Sequence, residues 1–341
     1  MAKISYAQYL ELLMDPDTPD EVIAAFSTFA PGIGAFDPTL LPDPDRVAMT
    51  RDQIEAESGM KIGNGLARWR RNQAFRRALR SGDTRQVLVA EGDSWFQFPI
   101  FLREVIGHLS DPYLVWCASA AGDTARNMVY GQPRFGEAEY LIELNRQRDR
   151  VRAFLFSAAG NDIIGEDAEA GDGTPVLRKI LTNPGTGTTD PAAYVHDHEV
   201  AARLAFLEQA YGKVIGDIRA HPRFATLPIL IHGYDVPFPW PWGDKDRRNP
   251  RWAKKDQWLG SAFAPAGIEG PLRREILSHL IDRLYAMLDR VAASDPHVHV
   301  VDCRGTLPNP TDWADEIHGT SDGFAAVADR FHATLTRVLA N

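Results

Sequence analysis

The sequence predicts an α/β fold: a parallel sheet covered by helices on both faces, behind an N-terminal stretch that is helical and irregular. Three observations carry that expectation. From residue 86 onward short apolar runs alternate with segments of helical apolar spacing. The runs are almost continuously apolar rather than alternating, as strands buried on both faces are. The chain has 341 residues, 44% of them hydrophobic and 24% charged, enough to bury a large core and too apolar for wholesale disorder.

Residues 1–85 read as an extension. "YAQYLELLM" has helical spacing, and "DPDTPDEVIAAF" opens a second helix with Asp/Thr capping chemistry and early acids. A Pro/Gly-rich stretch leads to "TRDQIEAESGM", where Thr50 is placed to cap a helix. "LARWRRNQAFRRALR" (residues 66–80) is a basic amphipathic helix. Its charges suit an acidic partner or a membrane surface, or form a solvated face over a buried Leu66/Trp69/Leu79 stripe; the second reading is preferred, because charge runs are usually surface.

In residues 86–341 the expected strands are Val87–Ala90, Tyr113–Ala118, Val151–Phe156, Pro228–His232 and Val298–Asp302. Helical patterns lie between them, and a last helix, with Ser321 as its expected N-cap, closes the chain. Insertions at about 165–195 and 235–270 follow the third and fourth strands. Loops this long are usually functional lids or disordered, and both leave the carboxyl rim of the sheet, where open α/β sheets bind ligands. No internal repeat is visible.

Bulk properties narrow the function. A net charge of −9 argues against a general nucleic-acid binder. No apolar stretch approaches the ~20 residues of a membrane span, and the N-terminus lacks the apolar core and cleavage site of a signal peptide; a cytoplasmic location is expected. Cys117 and Cys303, the two cysteines, read as small buried hydrophobes rather than a disulfide or a zinc site.

Polar residues gather at the strand ends. The first strand ends in Gly92-Asp93-Ser94, the second runs into Gly122, the third into Asn161, and after the fifth come Asp315 and His318. A serine hydroxyl becomes a nucleophile when a base takes its proton. His318 is such a base, and the i, i+3 spacing lets Asp315 hold one ring nitrogen while the other faces Ser94. Gly122 admits close approach of substrate to backbone, and Asn161 supplies two amide donors for an oxyanion. Plainer readings stand beside these: Ser94 as a helix N-cap, Asn161 shaping a turn, His318 as a satisfied surface histidine, Asp93 and Asp162 as structural acids.

"GDSW", "AGDT", "AGND" and "DEIH", in that order, resemble the four blocks of the SGNH (GDSL-type) serine esterase/lipase hydrolases, over roughly residues 86–340. The resemblance implies a three-layer α/β/α fold with sheet order 2-1-3-4-5 and hydrolysis of esters or related acyl bonds without a metal or other cofactor. It implies Ser94 as nucleophile, His318 as base with Asp315 as its partner, and an oxyanion hole of the Ser94 backbone N–H, Gly122 and Asn161. Three positions depart from the pattern: Trp95 stands in place of the usual leucine, Ala159 in place of a glycine, and Glu316 where smaller residues are frequent.

The expectation is therefore a serine hydrolase cleaving carboxylic esters through an acyl-enzyme, acting on a small-molecule or acylated substrate. A carbohydrate O-acetyl esterase and a non-catalytic ligand- or protein-binding member of the fold are the alternatives. The pairs His196/His198 and His297/His299 suggest metal ligation only weakly, since no third and fourth ligand has a convincing spacing; the acidic "EDAEAGDGTP" lacks calcium-loop spacing. In the second insertion Trp240, Trp242, Trp252 and Trp258 either line a pocket or fasten the loop. Arg247, Arg248 and Arg251 would favour an acidic substrate, against which Asp244, Asp246 and Asp256 weigh.

Overall fold

The computed structural model describes residues 3–31, 38–49, 63–98, 100, 102–131, 136–165, 174–185, 187–243, 246, 248 and 258–340. Thr50, Arg247, Arg251, Asp244, Asp256, Trp252 and most of "EDAEAGDGTP" lie outside the described residues.

The N-terminal segment holds β1 (Ile4–Ser5), α1 (Tyr6–Met14), α2 (Asp20–Ala25), β2 (Ser27–Pro31), β3 (Pro38–Pro42), β4 (Val47–Ala48) and α3 (Gly63–Arg80). Helix α1 starts in a capping box, Ser5 accepting the Gln8 N–H while the Gln8 side chain accepts the Ser5 N–H. Helix α2 follows Pro19 with no side-chain cap; Thr18, expected to cap, instead donates to Asp15. The four short strands pair as β1–β4 and β2–β3 and were not legible in the sequence. Tyr9, Leu13, Ile23, Leu40, Val47, Ala67 and Ile100 form a small core of their own. Ile100 comes from the segment after Ser94, so this second core touches the rim of the main sheet.

The rest comprises β5 (Val87–Gly92), α4 (Val105–Leu109), β6 (Leu114–Cys117), α5 (Ala125–Tyr130), α6 (Glu139–Arg146), β7 (Val151–Ser157), α7 (Gly160–Ile164), α8 (Val176–Ile180), α9 (Asp197–Arg219), β8 (Ile229–His232), α10 (Gly260–Phe263), α11 (Leu272–Ala293), β9 (Val298–Val301) and α12 (Ser321–Leu339). The five strands β5 to β9 form one parallel sheet, order β6-β5-β7-β8-β9, which is 2-1-3-4-5 as expected. Every residue of β5, β6 and β8 is buried, so side chains pointing to either face are covered. Helix α4 packs on α12, α9 on α11, α6 on β5, and α11 on β8 and β9. Phe154 and Phe156, fully buried on β7, each contribute roughly 1.5–3 kcal/mol by leaving water.

Helix α3 departs from expectation. Arg68, Arg70 and Arg71 turn toward neighbouring backbone, while Arg76 and Arg80 stay exposed. Arg70, 5% exposed, donates to the carbonyls of Leu12 and Leu13 at 3.1 and 2.9 Å and to those of Asp15 and Thr18, closing the C-terminus of α1. Arg71 donates to the Phe96 carbonyl and the Gln97 side chain and pairs with Glu104 at 2.5 Å. Arg68 reaches the Ala118 carbonyl, and Asn72 exchanges two bonds with the backbone of Cys117 at the end of edge strand β6. A solvated face remains at Arg76 and Arg80, as expected, but Arg68, Arg70, Arg71 and Asn72 fasten the helix to α1 and to the loops after β5 and β6.

Two smaller expectations change. Thr320, not Ser321, caps α12 by accepting the Gly323 N–H; Ser321 begins the helix and accepts the Arg103 N–H. Cys117 and Cys303 are both free and buried. Among the described residues no helix is long and apolar enough to cross a membrane.

Candidate active site

The nucleophile candidate sits in the tight turn that leaves β5. Asp93 shapes this turn: its carbonyl accepts the N–H groups of Phe96 and Gln97 and its carboxylate accepts that of Trp95. Ser94 is left at the carboxyl rim, 4% exposed. His318 arrives from the far end of the chain on a small hairpin closed by the Trp313–Gly319 bridge and an Ala314 N–H bond to the His318 carbonyl. Inside the hairpin Asp315 Oδ1 accepts the backbone N–H groups of Ile317 and His318 at 2.8 and 2.7 Å. Its Oδ2 lies 2.8 Å from His318 Nδ1, and His318 Nε2 lies 2.8 Å from Ser94 Oγ. Asp315 as acceptor places the ring proton on Nδ1, so Nε2 presents a lone pair to the hydroxyl. Residues 224 apart in sequence thus form one relay.

Of the three departures from the expected pattern, two have partners here and the third carries backbone strain. The Trp95 indole donates to the Ile317 carbonyl at 3.0 Å, tying the serine turn to the histidine hairpin. Glu316, fully buried, accepts the N–H groups of Trp240 and Leu259 and so anchors both ends of the second insertion beside His318. Ala159 adopts φ 99°, a left-handed value that costs a residue with a Cβ roughly 1–3 kcal/mol.

Gly122 also has positive φ (83°), which suits its lack of a Cβ. Asn161, 5% exposed, docks on the Gly122 turn through a 2.7 Å bond from its amide nitrogen to the Asp123 carbonyl. Asp162 fastens the same two loops by accepting the Ala125 and Arg126 N–H groups at the start of α5. Among the described residues neither the Ser94 nor the Gly122 N–H meets an acceptor, so both remain to donate. All five expected site residues belong to this rim.

The sequence reading missed a polar network under the rim. Asp93 Oδ2 accepts the Tyr234 hydroxyl, Asp93 Oδ1 accepts the Ser157 hydroxyl at 2.8 Å, and His232 Nε2 lies 2.8 Å from Ser157 Oγ. Burial pushes the Asp93 carboxyl up to about 6, against the lowering by Tyr234, Trp95 and Ser157. Burial also holds the His232 imidazole down, to about 3. The available signal was the His232-Gly233-Tyr234 run at the end of the fourth strand, where the other strands carry their site residues.

Walls complete the site. Phe98 and Trp258 lie against the His318 ring, centroids 4.7 and 5.7 Å away. Trp242 packs on Phe238, so of the insertion's described tryptophans Trp258 faces the histidine while Trp240 and Trp242 fasten the loop. Arg248, expected to greet an acidic substrate, is 3% exposed and spent on Asp246 and the carbonyls of Phe238, Pro239 and Asp315. An apolar cavity of about 80 Å³ opens between Ser94 and Asn161 on one side and Ile163, Ile164, Leu277, Leu280, Ile281 and Leu284 on the other. Among the described residues no group of three or more His, Cys, Asp or Glu could hold a metal ion; His196 and His198 lie side by side without a third.

No family model matches the chain, and no curated protein matches it. Solved structures similar to it include a carbohydrate acetylesterase from Sinorhizobium meliloti, 14% identical, TM-score 0.38, covering 75% of this chain and 99% of that one. Another is an alpha/beta hydrolase enzyme from the metagenome of Lake Arreo, Spain, 14% identical, TM-score 0.38, covering 74% and 96%. A variant of an acetyl xylan esterase from Geobacillus stearothermophilus is 14% identical, TM-score 0.37, covering 73% and 94%. At these identities and scores the likenesses carry no chemistry over to this chain.

Proposed function

We propose that the chain is a serine hydrolase cleaving carboxylic esters of short acyl groups. The observation that carries this reading is the unbroken relay Asp315–His318–Ser94, both links 2.8 Å. Ser94 Oγ attacks the ester carbonyl as His318 Nε2 takes its proton, and Asp315 stabilises the imidazolium. The oxyanion falls to the N–H groups of Ser94 and Gly122 and the Asn161 amide, fixed donors that need no reorganisation. His318 then gives its proton to the leaving alcohol. It next takes a proton from water as that water attacks the acyl carbon, and returns the proton to Ser94 Oγ as the C–Oγ bond breaks and the acid leaves. No step calls on a metal.

The cavity beside Ser94 argues for a short acyl group. At about 80 Å³ the cavity is far smaller than the roughly 300–1,000 Å³ of pockets that enclose drug-sized ligands, which suits an acetyl or propionyl tail. Acetylated carbohydrates and small acetyl esters both meet that limit.

The test is a series of p-nitrophenyl esters, acetate to decanoate, on wild type and Ser94→Ala, with fluorophosphonate labelling alongside. Turnover is expected to be highest for acetate or propionate, and Ser94→Ala to lose about 10⁴-fold or more of it together with the label. Undiminished turnover in Ser94→Ala overturns the reading. A folded wild type inert to every ester and to the probe favours a ligand-binding protein instead.

A further inference from the structure

The proposed oxyanion donor Asn161 stands in the first turn of α7, where Ala158 and Ala159 lead in from β7, and hydrogen bonds from neighbouring elements hold that turn. The Gly160 N–H, at the first position of α7, has no acceptor within its own helix. It donates to the Tyr234 hydroxyl at 3.0 Å, and that hydroxyl donates in turn to Asp93 Oδ2. The phenol oxygen therefore bridges the two turns that carry Ser94 and Asn161.

The surroundings allow little play. A Cβ at Gly160 would lie 3.2 Å from Tyr234 Cζ, so any larger residue would have to push the phenol ring aside by a few tenths of an ångström. Tyr234 has φ 67°, its carbonyl accepts the Tyr285 hydroxyl at 2.9 Å, and its ring meets Trp95 edge-on at 5.1 Å. The preceding turn residue, Ala159, is itself held left-handed. Two residues with side chains keep unfavourable backbone conformations where this bond forms, and such strain persists only where its surroundings enforce it.

We propose that Tyr234 is a positioning residue of the oxyanion hole, its hydroxyl setting the distance between the Ser94 turn and the Asn161 amide. The proposal rests on the ester-hydrolase reading. Tyr234 touches no reacting atom; it acts through Gly160 and Asp93. Removing the hydroxyl leaves the Gly160 N–H free to pivot, and Asn161 with it. Oxyanion donors act in the transition state, so the loss falls on kcat rather than KM.

Tyr234→Phe tests this with p-nitrophenyl acetate, beside Ser157→Ala. Ser157 is also buried and bonds the other Asp93 oxygen, but among the described residues its hydroxyl makes no hydrogen bond to Gly160. Tyr234→Phe is expected to lower kcat about 10- to 100-fold with KM within about twofold, and Ser157→Ala to lower kcat less than about threefold. Tyr234→Phe with kcat within twofold of wild type overturns the proposal, and so does a parallel fall in both variants, which would mark general support of Asp93. Should Tyr234→Phe not fold, amide exchange in wild type decides: a protected Gly160 N–H supports the bond, and exchange at an open-loop rate overturns it. Turnover that survives Ser94→Ala sinks the underlying reading; Ser94-dependent turnover that ignores Tyr234→Phe sinks this inference alone.

Discussion

Two buried histidines each stand 2.8 Å from a serine hydroxyl, and they are wired in opposite directions. At the rim, Asp315 accepts a hydrogen bond from the Nδ1–H of His318, and Nε2 faces Ser94 as an acceptor. In the core, His232 Nδ1 accepts the Tyr234 N–H at 3.3 Å, so its proton sits on Nε2 and donates a hydrogen bond to Ser157, whose hydroxyl donates in turn to Asp93. Burial alone accounts for the depressed His232 pKa, and no carboxylate offsets it. A histidine beside a serine is therefore not yet a base. The group on the far nitrogen decides which way the proton is offered.

The sharpest way to break this contrast is to remove that group. Asp315→Asn keeps the size of the side chain but lets its amide donate to Nδ1, which drives His318 toward the tautomer of His232. A kcat loss on the order of 10⁴-fold on p-nitrophenyl acetate is expected. A loss under tenfold would mean that the far nitrogen does not matter here.

The core pair should answer differently. His232→Ala deletes a ring packed against Trp95, Phe96 and Phe331 and leaves the Ser157 hydroxyl without its donor. The expected cost is about 2–4 kcal/mol in urea unfolding, with kcat changed less than tenfold. A kcat loss matching that of Asp315→Asn would put both histidines in the reaction and erase the distinction.

The smallest effect concerns a third buried group, Glu91, at the end of β5. Burial, and after it the nearby Asp123 and Glu139, pushes its carboxyl up to about 8. A raised folded pKa means that stability is greatest below the unfolded value of about 4.3 and is lost as pH rises toward 8. Glu91→Gln, which carries no proton to lose, should match wild type near pH 4.5 and exceed it near pH 8.5, by at most a few kcal/mol. Parallel denaturation midpoints across that range would show that Glu91 is not held protonated.

Much of the sheet and rim was legible in the chain. Largely apolar runs marked all five strands to within two residues at each end, because a strand covered on both faces has little polar side to show; only Arg152 and His299 interrupt β7 and β9. The serine, histidine and Asp315 were legible because a tight turn after a strand and a D-x-x-H turn are local geometries. The α3 arginines were not. Helical periodicity marks a charged stripe but cannot tell water from the open carbonyls at the end of α1, which lie more than 50 residues away in sequence. Arg248 failed for the same reason, since carbonyls and Asp246 already satisfy it.

By itself the sequence determined where the five strands of the main sheet and the helices between them form, the order in which they come along the chain, and which residue types their ends carry, since these follow from hydrophobic period and turn chemistry within a few residues. Only the tertiary structure decided which histidine offers a lone pair, that Trp95 and Glu316 clamp the His318 hairpin, that Tyr234 bridges two turns, and how much room lies beside Ser94. Each of these depends on partners that meet only when distant segments pack. A buried polar group takes its proton state and its direction from the groups around it, and sequence distance does not encode them.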